Sequence, residues 1–133
     1  MKKTETDIQI RFADIDILGH VNNVCLQHYF DLGKSMFYRD ILGIEMMPGG
    51  GREFPITAAT ETSYFAQTRF DEPIYVETRM PAIGNKSMTV AQRIISRTTC
   101  EVKAESRSVM VAFDFVEQTS IPVPESWRSR LFS

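Results

Sequence analysis

Apolar positions along the chain follow two rhythms. Leu26, Tyr29, Phe30, Gly33, Phe37 and Ile41 recur at spacings of three and four. That period predicts an amphipathic helix from about Leu26 to Leu42 with one apolar stripe. Asn22 or Asn23 suits its N-cap, and Gly43 its end. Gly33 lies inside the stripe, where it costs about 1 kcal/mol in helix propensity. The expected return is close approach of the helix to a sheet.

Elsewhere the rhythm is two. A first strand is predicted from Asp7 to Phe12, and a Thr-rich one from Ile56 to Phe65. Ile74, Val76, Thr78 and Met80 alternate with Tyr75, Glu77 and Arg79. Ala82 to Lys86 reads as a hairpin turn leading into a strand from Ser87 to Ser96, and a turn near Arg97–Thr99 leads to a long strand from about Cys100 to Glu117. The first half of that strand is polar on both faces, the mark of an edge or a bulge. Pro122, Pro124 and Glu125 announce a short final helix through Trp127 and Leu131. Met47 to Arg52, with Gly49 to Gly51, reads as a loop; no Gly-Lys-Ser/Thr follows to make it a phosphate loop.

The order is strand, long helix, then four strands, with no linker or repeat, so residues 1–133 read as one domain. One helix covers only one face of a five-stranded antiparallel sheet. The consistent architecture is α+β, with the sheet wrapped around the helix. The other face or an edge must meet solvent or a second subunit.

Composition narrows the function. The 43% hydrophobic content supports a real core, and a net charge of −2 gives no electrostatic case for nucleic acid or an anionic membrane. Residues 1–66 carry 6 basic and 9 acidic side chains against 9 and 8 in residues 67–133. Lys86, Arg93, Arg97 and Lys103 in the second half are candidates for phosphate or acidic-surface contact, or simply a solvated strand face. The first residues lack the apolar run of a signal peptide, and Cys25 and Cys100 have no metal-type spacing. The expectation is a cytoplasmic protein in a reducing compartment. No apolar run reaches the length of a membrane span.

The chemistry concentrates at the strand-to-helix junction, Asp14-Ile-Asp16-Ile-Leu-Gly19-His20-Val-Asn22-Asn23. A helix start offers unpaired N–H groups and partial positive charge. A carboxylate is ionised at neutral pH without help. Together they suit hydrolysis of an activated acyl group. Asp16 is the first candidate for the catalytic carboxylate. Asp14 reads as a loop hydrogen-bonder, Gly19 as a turn residue that lets substrate approach the backbone, and His20 as an orienting or proton-transfer group. Cys25 with His28 lacks a nucleophile signature, two histidines make no zinc set, and no Gly-x-Ser-x-Gly elbow is present.

These features resemble the hotdog-fold acyl thioesterases, the family of 4-hydroxybenzoyl-CoA thioesterase and bacterial acyl-CoA thioesterases. The resemblance rests on Asp16, then His20-Val21-Asn22-Asn23, then Tyr29-Phe30-Asp31. Weaker support comes from Tyr64 to Val76, from Gly84-Asn-Lys86-Ser87 and from Ile121-Pro-Val-Pro-Glu125. Leu26 and Lys34 stand where many members carry Tyr and Arg. The resemblance implies a hotdog fold and hydrolysis of an acyl-CoA or acyl carrier protein thioester without metal or cofactor. It gives Asp16 and His20 to catalysis and the Asn23 amide to the oxyanion, and leaves Gly19, Asn22, Lys86 and Ser87 for substrate contact. It also implies a homodimer or homotetramer with active sites between subunits. The alternatives are a non-catalytic acyl-thioester binder and a hotdog dehydratase or hydratase. The Asp–His-Val-Asn-Asn order favours hydrolysis.

Overall fold

A computed structural model describes residues 1–45 and 51–133. Met47, Pro48, Gly49 and Gly50 of the expected loop lie outside the described residues. Strand β1 (Lys3–Ile8) is followed by a 3-10 turn at Phe12–Asp14 and helix α1 (Asn23–Phe37), which continues as one π-helical turn through Leu42. Then come β2 (Glu53–Tyr64), β3 (Ile74–Ile83), β4 (Ser87–Ser96), β5 (Val102–Asp114), the two-residue β6 (Thr119–Ser120) and α2 (Glu125–Phe132). The sheet is antiparallel in the order β1-β3-β4-β5-β2, with β6 added to β5. Helix α1 lies against it and packs chiefly on β1, β3 and β4. This is the hotdog architecture expected from the sequence.

Two expectations need correction. The first strand runs Lys3–Ile8, not Asp7 to Phe12, because pairing with β3 begins at Lys3↔Arg79 and stops at Ile8↔Ile74. The chain then curls so that Asp14 can accept from the Arg11 amide at 3.1 Å, and Phe12 is left 86% exposed. The polar first half of the long strand does not mark an edge, since β5 lies between β4 and β2. A register shift does fall at its start, at Ile94/Ile95 opposite Val102.

The polarity of β5 has another cause. Thr78, Gln92, Ser106 and Thr62 stand in register across β3, β4, β5 and β2 on the helix side. This polar row separates two apolar clusters. One gathers Phe37, Leu42, Met88, Val90 and Trp127; the other gathers Leu26, Phe30, Val76 and Ile94. Gln92 donates to the Phe30 carbonyl at 2.8 Å and to Thr78 Oγ1 at 3.0 Å, so the row is tied to the helix backbone. Gly33 sits over this row. A Cβ there would lie 2.7 Å from Val76 Cγ1 and 2.9 Å from Thr78 Oγ1, which is why the stripe tolerates glycine.

Candidate active site

The segment between β1 and α1 folds into a miniature hairpin. Ile15 bridges Val21, and the Asp16 amide donates to the His20 carbonyl at 2.8 Å. The Gly19 amide closes the turn on the Asp16 carbonyl at 3.0 Å, with Gly19 at φ +83°, a conformation glycine adopts without strain. Ile17 and Leu18 form the exposed tip.

Asp16 is held by the turn it begins. Its Oδ1 accepts from the Leu18 amide at 2.9 Å and from the His20 amide at 3.3 Å. Among the described residues its Oδ2 has no partner. One oxygen therefore fixes the carboxylate, and the other is not used by the turn.

The helix start lies just beyond. Asn22 is the N-cap, and its Oδ1 accepts from the Val24 amide at 2.9 Å. The Cys25 and Leu26 amides donate to the Asn22 carbonyl. The Asn23 amide, at the first helical position, has no partner among the described residues. A free donor at a helix start is where partial positive charge accumulates.

Asp14 does different work. It is 1% exposed and accepts from Tyr29 Oη at 2.5 Å, from the Arg11 amide at 3.1 Å and from the Arg11 guanidinium at 2.9 Å. Burial alone would raise its pKa. The bonds from Tyr29 and Arg11 outweigh burial and lower it to about 2. Burial and the Asp14 carboxylate in turn push the Tyr29 phenol upward. The Asp14 carbonyl also accepts from the Asn22 amide at 2.8 Å, so this residue links the hairpin to the helix cap.

The fold thus brings Asp16, Gly19, His20, Asn22 and Asn23 together. Lys86 and Ser87 lie at the other end of the sheet, on the β3–β4 turn, where Ser87 pairs with Val111. Within one protomer they form no part of the Asp16 site. The other basic candidates are engaged. Arg97 binds Asp7 and stacks 4.2 Å from the Tyr75 ring centroid, Arg93 binds the buried Glu77, and Lys103 binds Glu72 and Glu101. A hollow of about 550 Å³ on the outer sheet face, lined by Glu77, Arg79, Arg93 and Arg107 among others, does not include Asp16. Among the described residues, no group of three or more His, Cys, Asp or Glu side chains is placed to hold a metal ion, and no helix is long and apolar enough to cross a membrane.

A family model for the thioesterase-like superfamily matches residues 10–131. The chain belongs to that superfamily. A predicted thioesterase from Bacillus stearothermophilus has the same fold, with a TM-score of 0.86 and 27% identity over 98% of this chain and 95% of that one. A mutant 4-hydroxybenzoyl-CoA thioesterase, solved with 4-hydroxybenzoyl-CoA, superposes with a TM-score of 0.86 over 98% and 99% of the two chains. Its 13% identity makes that a likeness of fold. The uncharacterized protein YsmA of Bacillus subtilis is 24% identical over 83 residues, 62% of this chain and 54% of that protein, so the match spans about half the relative's length. Thioester hydrolysis is the chemistry this superfamily membership supports.

Sequence reasoning passed over Tyr29 as an anchor. Its signal was present: an aromatic hydroxyl on the buried helix stripe needs a partner, and two acids, Asp14 and Asp16, stand just before the helix. It also passed over Gln27, which donates to Thr62 Oγ1 at 2.7 Å and to Tyr64 Oη at 3.0 Å.

Proposed function

We propose that the chain hydrolyses an acyl-CoA thioester to a free acid and coenzyme A at the Asp16 site. The observation that carries this reading is the Asp16 carboxylate, fixed through Oδ1, at the foot of a helix; among the described residues neither its Oδ2 nor the Asn23 amide has a partner. The carbonyl oxygen of the thioester accepts from the Asn23 amide. Asp16 either attacks the carbonyl carbon, forming an acyl-aspartyl anhydride that water then hydrolyses, or takes a proton from a water that attacks directly. The C–S bond breaks, the thiol leaves with a proton, and the acyl group ends as a carboxylic acid. One such oxyanion donor contributes about 3 kcal/mol to the transition state. His20, paired with Asp16 across the hairpin, orients the carboxylate or relays the proton. Gly19 and Asn22 flank the path of the thioester. Acyl carrier protein is the other possible carrier of the acyl group.

The site is completed by a second copy of the chain. Asp16 lies beside the exposed apolar tip Ile17–Leu18, and β2 is an open edge whose residues Thr57–Glu61 are all exposed. An unpaired edge of this length is a ready surface for a second strand. Lys86 and Ser87 would meet the coenzyme from a neighbouring subunit.

The test is release of free thiol from a panel of acyl-CoA substrates by the purified protein. Turnover with at least one member is expected. Tight binding of acyl-CoA without thiol release would favour the non-catalytic binder, and hydration or dehydration of β-hydroxyacyl thioesters the other alternative.

A further inference from the structure

The flank of α1 that faces β2 carries groups the hydrolytic step does not use. At one end Gln27 is bonded to Thr62 and Tyr64 of β2. At the other end the Tyr38 ring meets Phe54 of β2 edge to face, with centroids 5.7 Å apart. Asp31 and Lys34 fall between these two contacts on the same flank. Opposite them, Thr57 and Thr60 are exposed although both point to the helix side of the sheet, toward Met110 Sδ at 3.5 Å and Ser108 Oγ at 3.1 Å. A bulge between Thr57 and Ala59 puts both threonines on that side. The helix does not cover this strip, and its walls are polar.

Two donors at the strip are unusually placed. Lys34 is 5% exposed, and among the described residues its ammonium has one carboxylate near it, Asp31 at 3.7 Å, which is itself 68% exposed in its side chain. Burial lowers the Lys34 pKa, while Asp31 opposes that shift. The Tyr38 hydroxyl is buried and has no partner among the described residues. A lysine buried along its length with one long contact, and a buried hydroxyl with no partner among the described residues, stand four residues apart on one helix face as two donors open to an acceptor. A strip meant for a plain alkyl chain gains nothing from either.

We infer that this strip receives the acyl group and selects acyl groups bearing an acceptor oxygen, a hydroxyl or carboxylate, through Lys34 and Tyr38. The inference rests on the hydrolase reading above. Hydrogen-bonding sites reject ligands that lack the matching group far more strongly than apolar pockets reject small changes of size.

The test compares matched substrates by thiol release: benzoyl-CoA against 4-hydroxybenzoyl-CoA, and hexanoyl-CoA against adipoyl-CoA. The wild-type protein favours the oxygenated member of at least one pair by about ten-fold or more in kcat/KM. Lys34→Met shrinks that preference by about ten-fold, through KM of the oxygenated substrate. Tyr38→Phe shrinks it by a smaller factor, and carries the same test if Lys34→Met fails to fold. Thiol release with no preference in either pair, or a preference that survives in the folded variants, overturns the inference and leaves the hydrolase reading standing. No thiol release from any member overturns both.

Discussion

Tyr29 Oη donates to Asp14 Oδ2 across 2.5 Å, and this bond joins the body of α1 to the hairpin that presents Asp16. The carboxylate is buried, so removing the hydroxyl leaves an acceptor short of a donor that water replaces poorly. Tyr29→Phe is expected to cost about 2 kcal/mol of stability. It should also lower kcat more than it raises KM, because Asp16 loses its support. Denaturant unfolding and steady-state thiol release check both. A variant as stable and as active as wild type would show that the bond positions nothing.

The same bond sets a pH dependence. The folded-state pKa of Asp14 lies at about 2, below the unfolded value of about 3.9. A lowered carboxylate pKa stabilises the fold fully above the unfolded value, and that contribution disappears as pH falls through the folded one. Stability should therefore fall between about pH 4 and pH 2, with a smaller drop in Tyr29→Phe. Superimposable acid-unfolding curves for the two proteins would contradict this.

Gly33 is the tightest point of the helix–sheet contact. An alanine methyl there has Val76 and Thr78 within 2.9 Å, so either the helix lifts or the sheet yields. Gly33→Ala is expected to destabilise by about 1–3 kcal/mol despite its better helix propensity. Thermal unfolding measures the sign directly; a stabilised variant would mean that the contact is loose.

The open edge of β2 and the proposed site between subunits predict an oligomer. Light scattering on the purified protein should give twice the 15.2 kDa chain mass, or a higher even multiple. A monomer that turns over substrate would remove the subunit-interface part of the proposal.

What the sequence made legible depended on how local each signal was. The α1 stripe and the Gly33 contact follow from spacing along one element and appear where the period put them, and of the two cap candidates, Asn22 and Asn23, the structure uses Asn22. The end of β1 was misjudged because Ile10 and Phe12 continue the apolar alternation, while the event that stops the strand, capture of the Arg11 amide by Asp14, is invisible to periodicity. The polar half of β5 misled for a related reason. Ser106 looks solvent-facing in a one-dimensional pattern, yet it belongs to a polar row assembled from four strands, and Ser108, also buried, stands between Val90 and Thr60. At the site, the proximity of Asp16 to Asn23 was readable because both lie within one short segment. The remoteness of Lys86 and Ser87 from that segment was not, because it depends on which end of the sheet each turn occupies.

The account turns on Asp16, and replacing its free oxygen by an amide tests it with least ambiguity. With the best acyl-CoA of the panel, Asp16→Asn should fold with unchanged stability and bind substrate, while kcat falls by about a hundred-fold or more. Retention of more than about a tenth of the wild-type kcat would place the lost stabilisation below about 1.4 kcal/mol and assign the chemistry to some other group.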